Sequence, residues 1–450
     1  MRNRIGGEQD STPDPDDRAS TAAFRSRIDD RRARVVVAGQ GYVGLLVAMR
    51  ATEVGFPVVG YEVDATRLDA LTAGRSYVED VPDERLGAAL RAGYRPSHDV
   101  ADLAGFDVAI ISVPTPLREG LPDLSFVESA ATTLAQALSP GALVVLESTT
   151  YPGTTEELVR PLLEASGLRA GRDFFLGYSP ERIDPGNTTW TFEETPKVVS
   201  GVDEPSLRCV EAFYDALVAK VVPVGSTAEA ELVKLFENTF RHVNIALMNE
   251  LAMFAGDLGV DIWSAIDAAS TKPFGYLRFT PGPGVGGHCL PVDPSYLSWR
   301  VRRRSGHPFR LVELANEVNE HMPEYVVNRI AGLLNRYGRA VNGTRILLLG
   351  VAYKAGTSDW RESPSLVVAE QLAALGAEVH GCDPHIPPVL QDGVPLPLVD
   401  LSLEALSEAD LVVVLVDHPE FVPEEIASRA QLVFDAKALL RGHEFKGEIL

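Results

Sequence analysis

Short apolar runs alternate with amphipathic segments along the chain from Arg34 onwards. The runs are rich in β-branched residues and end at turn residues, which is typical of buried strands, and residues at helical spacing fill most of the gaps between them. This alternation predicts a parallel sheet covered by helices. The predicted strands of this first unit are Arg34–Ala38, Val58–Glu62, Asp107–Val113, Ala142–Glu147, Phe174–Tyr178, Lys197–Ser200 and Val221–Val224.

The pattern then changes to that of one long helix. From Thr227 to about Met253 no strong helix breaker occurs, and apolar residues recur at helical spacing. The segment is about twice the length of an average helix. We therefore predict a spine between two domains, with an apolar face available for dimerisation.

A second α/β unit begins at Arg345. Ser363 and Pro364 are expected to cap and start its first helix, and further strands are predicted at Glu378–Cys382, Leu411–Val416 and Leu432–Asp435. The predicted class is α/β, with two Rossmann-like doubly wound parallel-sheet domains joined by a central helical domain. The predicted divisions are a disordered tail (1–30), a dinucleotide-binding domain (31–225), a helical dimerisation domain (226–335) and a C-terminal Rossmann-like domain (336–450).

Composition limits the classes of function. Hydrophobic residues make up 45% and charged residues 23% of the 450, so most of the chain can bury a core. The formal net charge of −22 repels nucleic acid and anionic membrane surfaces, and no apolar run approaches the ~18 residues of a membrane span. We predict a soluble protein without a nucleic-acid or membrane partner.

Three cysteines occur, at positions 209, 289 and 382, without a C-x-x-C pair. This count predicts neither a disulfide framework nor a metal site and fits a reducing cytoplasm. The tail up to about residue 30 is polar, rich in Asp and Pro, and lacks the apolar core of a signal peptide, so it is predicted to be disordered.

A glycine motif follows the first predicted strand. Gly39, Gly41 and Gly44 form G-x-G-x-x-G at the end of a strand and the start of a helix, where backbone N–H groups can meet a pyrophosphate. Glu62 ends the second strand, where a carboxylate can accept hydrogen bonds from a ribose; this favours NAD over NADP. Arg67 lies near enough in the sequence to receive a phosphate instead.

A second glycine-rich loop carries Cys289. Glycine leaves room for a substrate, and His288 and Asp293 are placed to tune the thiol or orient a water molecule. The alternative interpretation of this loop is a tight turn around an inert thiol.

In the long helix, Lys234 and Asn238 share one face, with Arg241 one turn further on. They form either a solvated stripe or a pair that stabilises an oxyanion.

Polar segments also follow several predicted strands. Ser179 to Arg182 and Glu147 to Gly153 each leave a strand at its carboxyl end, the edge that lines the binding crevice of open α/β sheets. In the second unit, Lys354, Arg361 and the start of a helix could receive a phosphate. No G-x-G-x-x-G occurs there, which disfavours a second dinucleotide.

Together these motifs resemble the UDP-glucose/GDP-mannose dehydrogenase family. The resemblance runs in one order from about residue 33 to 440, and only the tail is outside it. The matching segments are G-Q-G-Y-V-G (39–44), V-P-T-P-L (113–117), E-S-T-T-Y-P-G-T (147–154), S-P-E-R-I-D-P-G-N (179–187), Lys234 with Asn238, G-P-G-V-G-G-H-C-L-P-V-D (282–293), G-V-A-Y-K (350–354) and R-E-S-P (361–364).

The resemblance implies NAD on the first domain, a nucleotide sugar between the domains, and two oxidations of the sugar's C6 alcohol to a carboxylate. Cys289 resembles the nucleophile that captures the aldehyde and becomes a thioester. Lys234 with Asn238 looks like the oxyanion-stabilising pair, and Asp293 like the residue that positions lysine and water. The implied partners of thioester hydrolysis are Glu181 and Thr149.

The binding residues implied in the same way fall into two sets. Those for NAD are Gly39, Gly41, Tyr42, Val43, Gly44, Glu62, Arg67, Pro114, Thr115 and Thr149. Those for the nucleotide sugar, which the C-terminal domain helps to bind, are Arg182, Lys234, Asn238, Arg241, Phe279, Gly286, His288, Lys354 and Arg361.

Within the family, His288 stands where glucose-type members typically carry Ser, and Thr280 where they tend to have Lys. These positions look like those of the branch that acts on UDP-N-acetylhexosamines. UDP-N-acetylglucosamine is the first expectation, ahead of its manno and galacto epimers and UDP-glucose, with a product for polysaccharide or O-antigen synthesis.

A homodimer through the central helix, or a higher oligomer, is expected. The remaining alternatives are a one-step dehydrogenase and a non-catalytic nucleotide-sugar sensor. Glu62 departs from the family's usual Asp.

Overall fold

A computed structural model describes residues 15–118, 120–184, 187, 189–287, 290, 292–391 and 393–450. It divides into two compact units, and the boundary between them falls inside one long helix, between Lys234 and Leu235. The first unit contains the glycine motif and the second contains most of the long helix and the C-terminal sheet. Each unit is described separately below.

The main sheet of the first unit explains why its motifs share one edge. Its order is β10-β9-β8-β7-β4-β1-β2-β3, and β1, β2, β3, β4, β7 and β8 run parallel. Their carboxyl ends therefore lie along one edge of the sheet. Its strands are β1 (Val35–Ala38), β2 (Val58–Tyr61), β3 (Arg95–Ser97), β4 (Val108–Ile111), β7 (Leu143–Leu146), β8 (Phe175–Tyr178), β9 (Lys197–Gly201) and β10 (Val221–Pro223). The short strands β5 (Leu117–Arg118) and β6 (Leu121–Pro122) form a separate two-stranded sheet.

The predicted α/β class is confirmed, but the direction of two strands differs from a uniformly parallel sheet. β9 pairs antiparallel with β8, and β10 continues parallel to β9. A parallel neighbour needs a crossover connection, usually a helix. The described residues between β8 and β9 include no helix, so the chain turns back and reverses direction.

The helices of the first unit cover the faces of this sheet. They are α1 (Pro15–Asp29), α2 (Tyr42–Glu53), α3 (Ala65–Thr72), α4 (Asp83–Ala92), α5 (Ser125–Ala137), α6 (Arg160–Glu164) and α7 (Glu204–Asp215), with a 3-10 turn at Val100–Leu103 and a π-helical turn at Thr155–Val159. α8 (Thr227–Ala255) is the long helix that the apolar spacing predicts, and it crosses into the second unit.

The predicted disordered tail is wrong for its second half. α1 occupies 15–29, and Phe24 and Ile28 are completely buried in the core of the first unit. Phe24 meets Phe175 of β8 edge to face, with ring centroids 5.9 Å apart. These two large apolar side chains are four residues apart, so they lie on one helix face and dock on the sheet. The mean composition of the tail is polar and does not reveal this pair. The residues before Pro15 lie outside the described part of the chain.

The second unit combines helices with a smaller parallel sheet of order β12-β11-β13-β14-β15. Ser363 caps α12 by accepting a hydrogen bond from Ser365 N–H, as the sequence predicts. The further helices are α9 (Ile262–Ser270), α10 (Asp293–Ser305), α11 (Arg310–Arg336), α12 (Pro364–Ala374), α13 (Pro388–Gln391), α14 (Leu403–Glu408) and α15 (Pro423–Arg429). The strands are β11 (Arg345–Leu349), β12 (Glu378–Cys382), β13 (Leu411–Val414), β14 (Val433–Asp435) and β15 (Gly447–Ile449).

Among the described residues, no helix combines the length and the apolar character needed to cross a membrane.

Candidate active site

The glycine motif forms a tight turn between β1 and α2 that only glycine allows. Gly39 has φ +91°, and a Cβ there would lie 2.2 Å from the carbonyl oxygen of Ser112. A Cβ on Gly44 would lie 1.9 Å from the carbonyl oxygen of Gly39, whereas a Cβ on Gly41 would meet open space. The turn and the free N-terminus of α2 thus fit a pyrophosphate, which accepts hydrogen bonds from such backbone N–H groups.

Glu62 is tied to this turn from the end of β2. Its carboxylate accepts hydrogen bonds from the backbone N–H groups of Gln40 and Asp64, both at 3.0 Å. Arg67 lies 3.9 Å from Glu62 Oε2 and stacks its guanidinium over the ring of Tyr77. The longer side chain of Glu62 therefore places its carboxylate beside the glycine turn, and Arg67 is engaged by that carboxylate.

Tyr42 and Val43 begin α2 beside the same turn. The hydroxyl of Tyr42 donates to Asp80, and burial raises the pKa of Tyr42, with Asp80 and Glu181 acting in the same direction. The hydroxyl therefore remains protonated at neutral pH.

The ends of β4 and β7 are joined by Ser148. Its hydroxyl accepts from Val113 N–H at 2.9 Å and donates to the carbonyl of Val113 at 2.8 Å. Pro114 and Thr115 come directly after Val113, and Thr149 directly after Ser148, so the structure brings these three predicted residues to one part of the carboxyl edge.

The central feature of the first unit is a buried ion pair. Lys234 Nζ lies 3.1 Å from Glu181 Oε2, and only 8% and 11% of the two side chains are exposed. Glu181 Oε1 also accepts from the N–H of Ile183. Glu181 leaves β8 and Lys234 comes from α8, so the sheet edge and the long helix together place a carboxylate and an ammonium in contact. Arg182 points elsewhere and donates to the carbonyl of Pro196 at 2.6 Å.

Asn238 lies in the part of α8 that belongs to the second unit, and its partner is in the same unit. Its amide donates to Asp293 Oδ2 at 2.6 Å, and Asp293, the first residue of α10, is buried. Lys234 and Asn238 are one turn apart in a single helix, as predicted. An ammonium and an amide at this spacing, each paired to a carboxylate, can stabilise negative charge and hold a proton.

The second glycine loop packs against the two motifs of the C-terminal sheet. A Cβ on Gly286 would lie 2.7 Å from the carbonyl oxygen of Glu362, and a Cβ on Gly287 would lie 2.7 Å from the ring of Tyr353. The structure therefore brings the predicted Gly286 together with the segments that carry Lys354 and Arg361. The next two residues, His288 and Cys289, lie outside the described residues.

The other predicted substrate residues of the second unit lie in distinct environments. Phe279 is half-buried and contacts the ring of Phe240 edge to face at 5.8 Å, whereas Arg241 is exposed on α8. Arg361 is exposed, and its guanidinium donates two hydrogen bonds to Asp359, of 2.8 and 2.7 Å. Lys354 is partly buried in the loop after β11.

Sequence reasoning missed two sets of buried polar residues that hold these loops. In the first unit, Lys197 pairs with Glu147 behind the Glu181 turn. In the second, Asn249 accepts from the N–H of Gly282 at 3.0 Å and donates to Asn319 at 2.9 Å. Two sequence features could have pointed to these residues. Glu147 is a charged residue at the end of an apolar strand, and Asn249 is an asparagine on an otherwise apolar face of a helix.

Three sequence models of one family match the chain in order. They are described as the NAD binding domain, over residues 33–218, the central domain, over 228–321, and the UDP binding domain, over 347–442, of the UDP-glucose/GDP-mannose dehydrogenase family. The chain belongs to the UDP-glucose/GDP-mannose dehydrogenase family. The resemblance found in the sequence is thus confirmed, and the protein is an NAD-dependent nucleotide-sugar dehydrogenase.

Several relatives within this family carry names for acetamido sugars. The chain is 37% identical to the UDP-N-acetyl-D-mannosamine dehydrogenase of Pyrococcus horikoshii, over 92% of this chain and 98% of the relative. It is 35% identical to the UDP-N-acetyl-D-glucosamine 6-dehydrogenase of Pseudomonas aeruginosa, over 78% and 83%. The solved structure of the UDP-D-ManNAc dehydrogenase from P. horikoshii superposes with a TM-score of 0.82 at 36% identity, covering 92% of this chain and 98% of that one.

Proposed function

We propose that this protein oxidises the C6 hydroxyl of a UDP-N-acetylhexosamine to the carboxylate in two successive oxidations. The observation that carries the proposal is the buried contact between Lys234 and Glu181 at 3.1 Å. A nucleotide-sugar dehydrogenase that stops at the aldehyde has no need for a second acid–base residue. A dehydrogenase that continues to the acid must also add and later remove a nucleophile.

In the proposed mechanism, the C6 hydroxyl gives its proton to a water molecule and Lys234 stabilises the resulting alkoxide. Loss of a hydride from C6 then yields the aldehyde. The thiolate of Cys289 then adds to the aldehyde carbon, forming a C–S bond and an oxyanion that Lys234 and Asn238 stabilise. Loss of a hydride from this adduct gives a thioester. NAD, when bound, accepts one hydride in each oxidation.

Hydrolysis of the thioester requires water to attack the carbonyl carbon while the C–S bond breaks. We assign Glu181, with Thr149, to accept the proton of that water, and Asp293 to position Asn238 and the attacking water. The proton then passes to the departing thiolate of Cys289, which restores the enzyme. This division of roles agrees with the geometry, because Glu181 contacts Lys234 and Asp293 contacts Asn238.

The residues that would hold NAD are those of the glycine turn and the adjoining strand ends. Glu62, already fixed beside Gln40, is available to the adenosine ribose, and the carboxylate would repel a 2′-phosphate. Tyr42, Val43, Pro114 and Thr115 line the same edge of the sheet.

UDP-N-acetyl-D-glucosamine, UDP-N-acetyl-D-mannosamine and UDP-N-acetyl-D-galactosamine are the candidate acetamido substrates, with UDP-glucose as the alternative outside that class. His288 and Thr280 favour the acetamido class, with the gluco epimer first on sequence grounds. Identity and coverage are both higher for the relative named for mannosamine, which favours the manno epimer. The uronate product would supply polysaccharide or O-antigen synthesis. A reducing cytoplasm agrees with a reaction that needs a free thiol.

The exposed apolar side chains of α8 support a homodimer. Leu247, Leu251 and Phe254 lie at positions i, i+4 and i+7 of the helix and are 43–54% exposed. An apolar stripe of this kind at helical spacing fits the same stripe of a second copy related by a two-fold axis. We propose this stripe as the dimer interface.

The first test is the yield of NADH per sugar consumed, with NAD in excess. It compares UDP-N-acetylglucosamine, its manno and galacto epimers, and UDP-glucose. Two NADH per sugar from an acetamido substrate alone is the expected result. One NADH per sugar would overturn the thioester mechanism, and turnover of UDP-glucose alone would overturn the acetamido assignment.

A further inference from the structure

A buried ion pair lies behind the Glu181 turn and has no role in the mechanism above. Lys197 is the first residue of β9, and Glu147 directly follows β7; their side chains are 5% and 0% exposed. Lys197 Nζ donates to Glu147 Oε1 and, at 3.0 Å, to the carbonyl oxygen of Pro180. Tyr214 donates its hydroxyl to the same carboxylate at 3.3 Å.

Stability alone is a weak reason for such a pair. Removing two charges from water costs several kcal/mol per ion, and apolar residues of similar volume are often equally stable or more so. Here the compensation is incomplete, because Glu147 Oε2 is buried without a hydrogen-bond partner among the described residues. Burial accordingly raises the pKa of Glu147, against the lowering effect of Lys197. The pair therefore calls for a role beyond packing.

The reversed direction of β9 indicates that role. Because β9 runs antiparallel to β8, its first residues lie beside the segment that leaves the carboxyl end of β8. Ser179 Oγ donates to the carbonyl of Val198 at 2.7 Å, and Arg182 donates to the carbonyl of Pro196 at 2.6 Å. Together with the bond from Lys197 to Pro180, three ties hold the turn on both sides of Glu181.

The carboxylate of Glu181 takes no part in these three bonds. Within the Ser179–Arg182 turn, its carboxylate contacts Lys234 of α8 while its neighbours are bonded to the start of β9. The backbone of the turn is thus held by the start of β9, while the carboxylate contacts α8. A catalytic group displaced by about 1 Å can cost roughly 10²-fold in rate, so such fixation has a direct consequence for turnover.

We propose that Lys197, neutralised by Glu147, is a positioning residue that fixes the Ser179–Arg182 turn and thereby holds the Glu181 carboxylate against Lys234. This inference rests on the proposed function, in which Glu181 works in thioester hydrolysis. The reversed strand is then more than a variation of topology, because a parallel β9 would place Lys197 at the opposite edge of the sheet.

The experiment compares Lys197→Met, Glu147→Gln and the double variant in the full-length enzyme. Lys220→Met, an exposed lysine in the same unit, is the matched control. Each protein is measured for thermal unfolding, for kcat and the KM for NAD, and for the pH profile of kcat. Lys197→Met alone is expected to lower the Tm, because it leaves the Glu147 charge buried and unpaired.

The double variant separates positioning from stability. It removes both buried charges, so most of the Tm is expected to return, while kcat stays about 10-fold or more below the wild type because the Pro180 carbonyl is no longer held. The pH profile of kcat should also differ from that of the wild type, whereas the KM for NAD should stay the same. Recovery of the Tm together with wild-type kcat and pH profile would overturn the proposal.

Ser179→Ala keeps the proposal testable if the charged-pair variants fail to fold. It removes one of the three ties without burying a charge, and it is expected to lower kcat several-fold at nearly unchanged Tm. An unchanged kcat would count against positioning.

Glu181→Gln separates this proposal from the proposed function. If Glu181→Gln retains full turnover, the role of Glu181 in hydrolysis is wrong. If Glu181→Gln loses turnover while Ser179→Ala and the double variant keep wild-type kcat, only the positioning role is wrong.

Discussion

The ammonium of Lys234 lies 3.1 Å from the carboxylate of Glu181, and the two side chains come from elements 53 residues apart in the chain. Both are largely buried, so each depends on the other for charge compensation. Burying such a pair costs free energy that a surface lysine would avoid. Their contact agrees with the proposed mechanism, in which an ammonium and a carboxylate act on the same carbonyl group.

Lys234→Met should lower kcat by roughly 10²-fold or more, because the alkoxide and the later oxyanions lose their stabilising charge. The measurement is steady-state NADH formation at saturating NAD and UDP-sugar, with Lys220→Met as the control. An effect confined to KM for the UDP-sugar would instead assign Lys234 to substrate binding.

Iodoacetamide should label one cysteine of the native enzyme at pH 8, namely Cys289, with loss of activity in proportion to labelling. Burial raises the pKa of both Cys209 and Cys382 to about 12, so these two remain unreactive thiols. Peptide mapping by mass spectrometry checks the site, and Cys289→Ala, which should form no uronate, is the control. Uronate formation by Cys289→Ala would exclude the covalent step.

Phe24→Ala should lower the free energy of unfolding by about 3–5 kcal/mol, because it removes a fully buried ring that packs on Phe175. Urea unfolding measures the change. Phe126→Ala, at a half-exposed position on α5, is the control and should change stability far less. The kinetics of the folded enzyme at 25 °C should stay the same. Equal stability of wild type and Phe24→Ala would show that α1 does not contribute to the core.

The pH dependence of stability should carry a contribution from Glu231. Burial raises the pKa of this carboxyl from 4.5 to about 7, although the N–H of Thr155 and that of Gly153 donate to it. Between these pH values the folded state binds more protons than the unfolded state. The free energy of unfolding therefore falls as pH rises from about 4.5 to 7, by up to about 3 kcal/mol.

Glu231→Gln removes this titration. Urea unfolding at pH 5, 6, 7 and 8 should show a shallower decline for this variant than for wild type, whereas the exposed Glu194→Gln should keep the wild-type slope. Identical slopes for all three proteins would refute the contribution of Glu231.

Leu251→Glu should shift the protein from dimer to monomer, because it places a charge in the apolar stripe of α8. Sedimentation velocity across a dilution series measures the state, and Leu375→Glu, an exposed leucine after α12, is the control. A wild-type monomer with full activity would contradict the proposed interface.

The sequence by itself determined the features that depend on short-range geometry. The spacing of Gly39, Gly41 and Gly44 fixes a turn in which Gly39 and Gly44 leave no room for a Cβ, and Ser363 with Pro364 fixes the start of α12. Hydrophobic period alone located most strands and the long helix. These signals are readable because the atoms involved are only a few residues apart.

The tertiary structure decided which distant groups meet. Lys234 could have lain in a solvated stripe, and its pairing with Glu181 follows from where α8 meets the edge of the sheet. Lys197 reaches Pro180 because β9 reverses direction, and Phe24 enters the core because α1 docks on β8. Each of these outcomes depends on strand order, direction and packing between segments far apart in the chain, and residue type and local spacing carry no record of that.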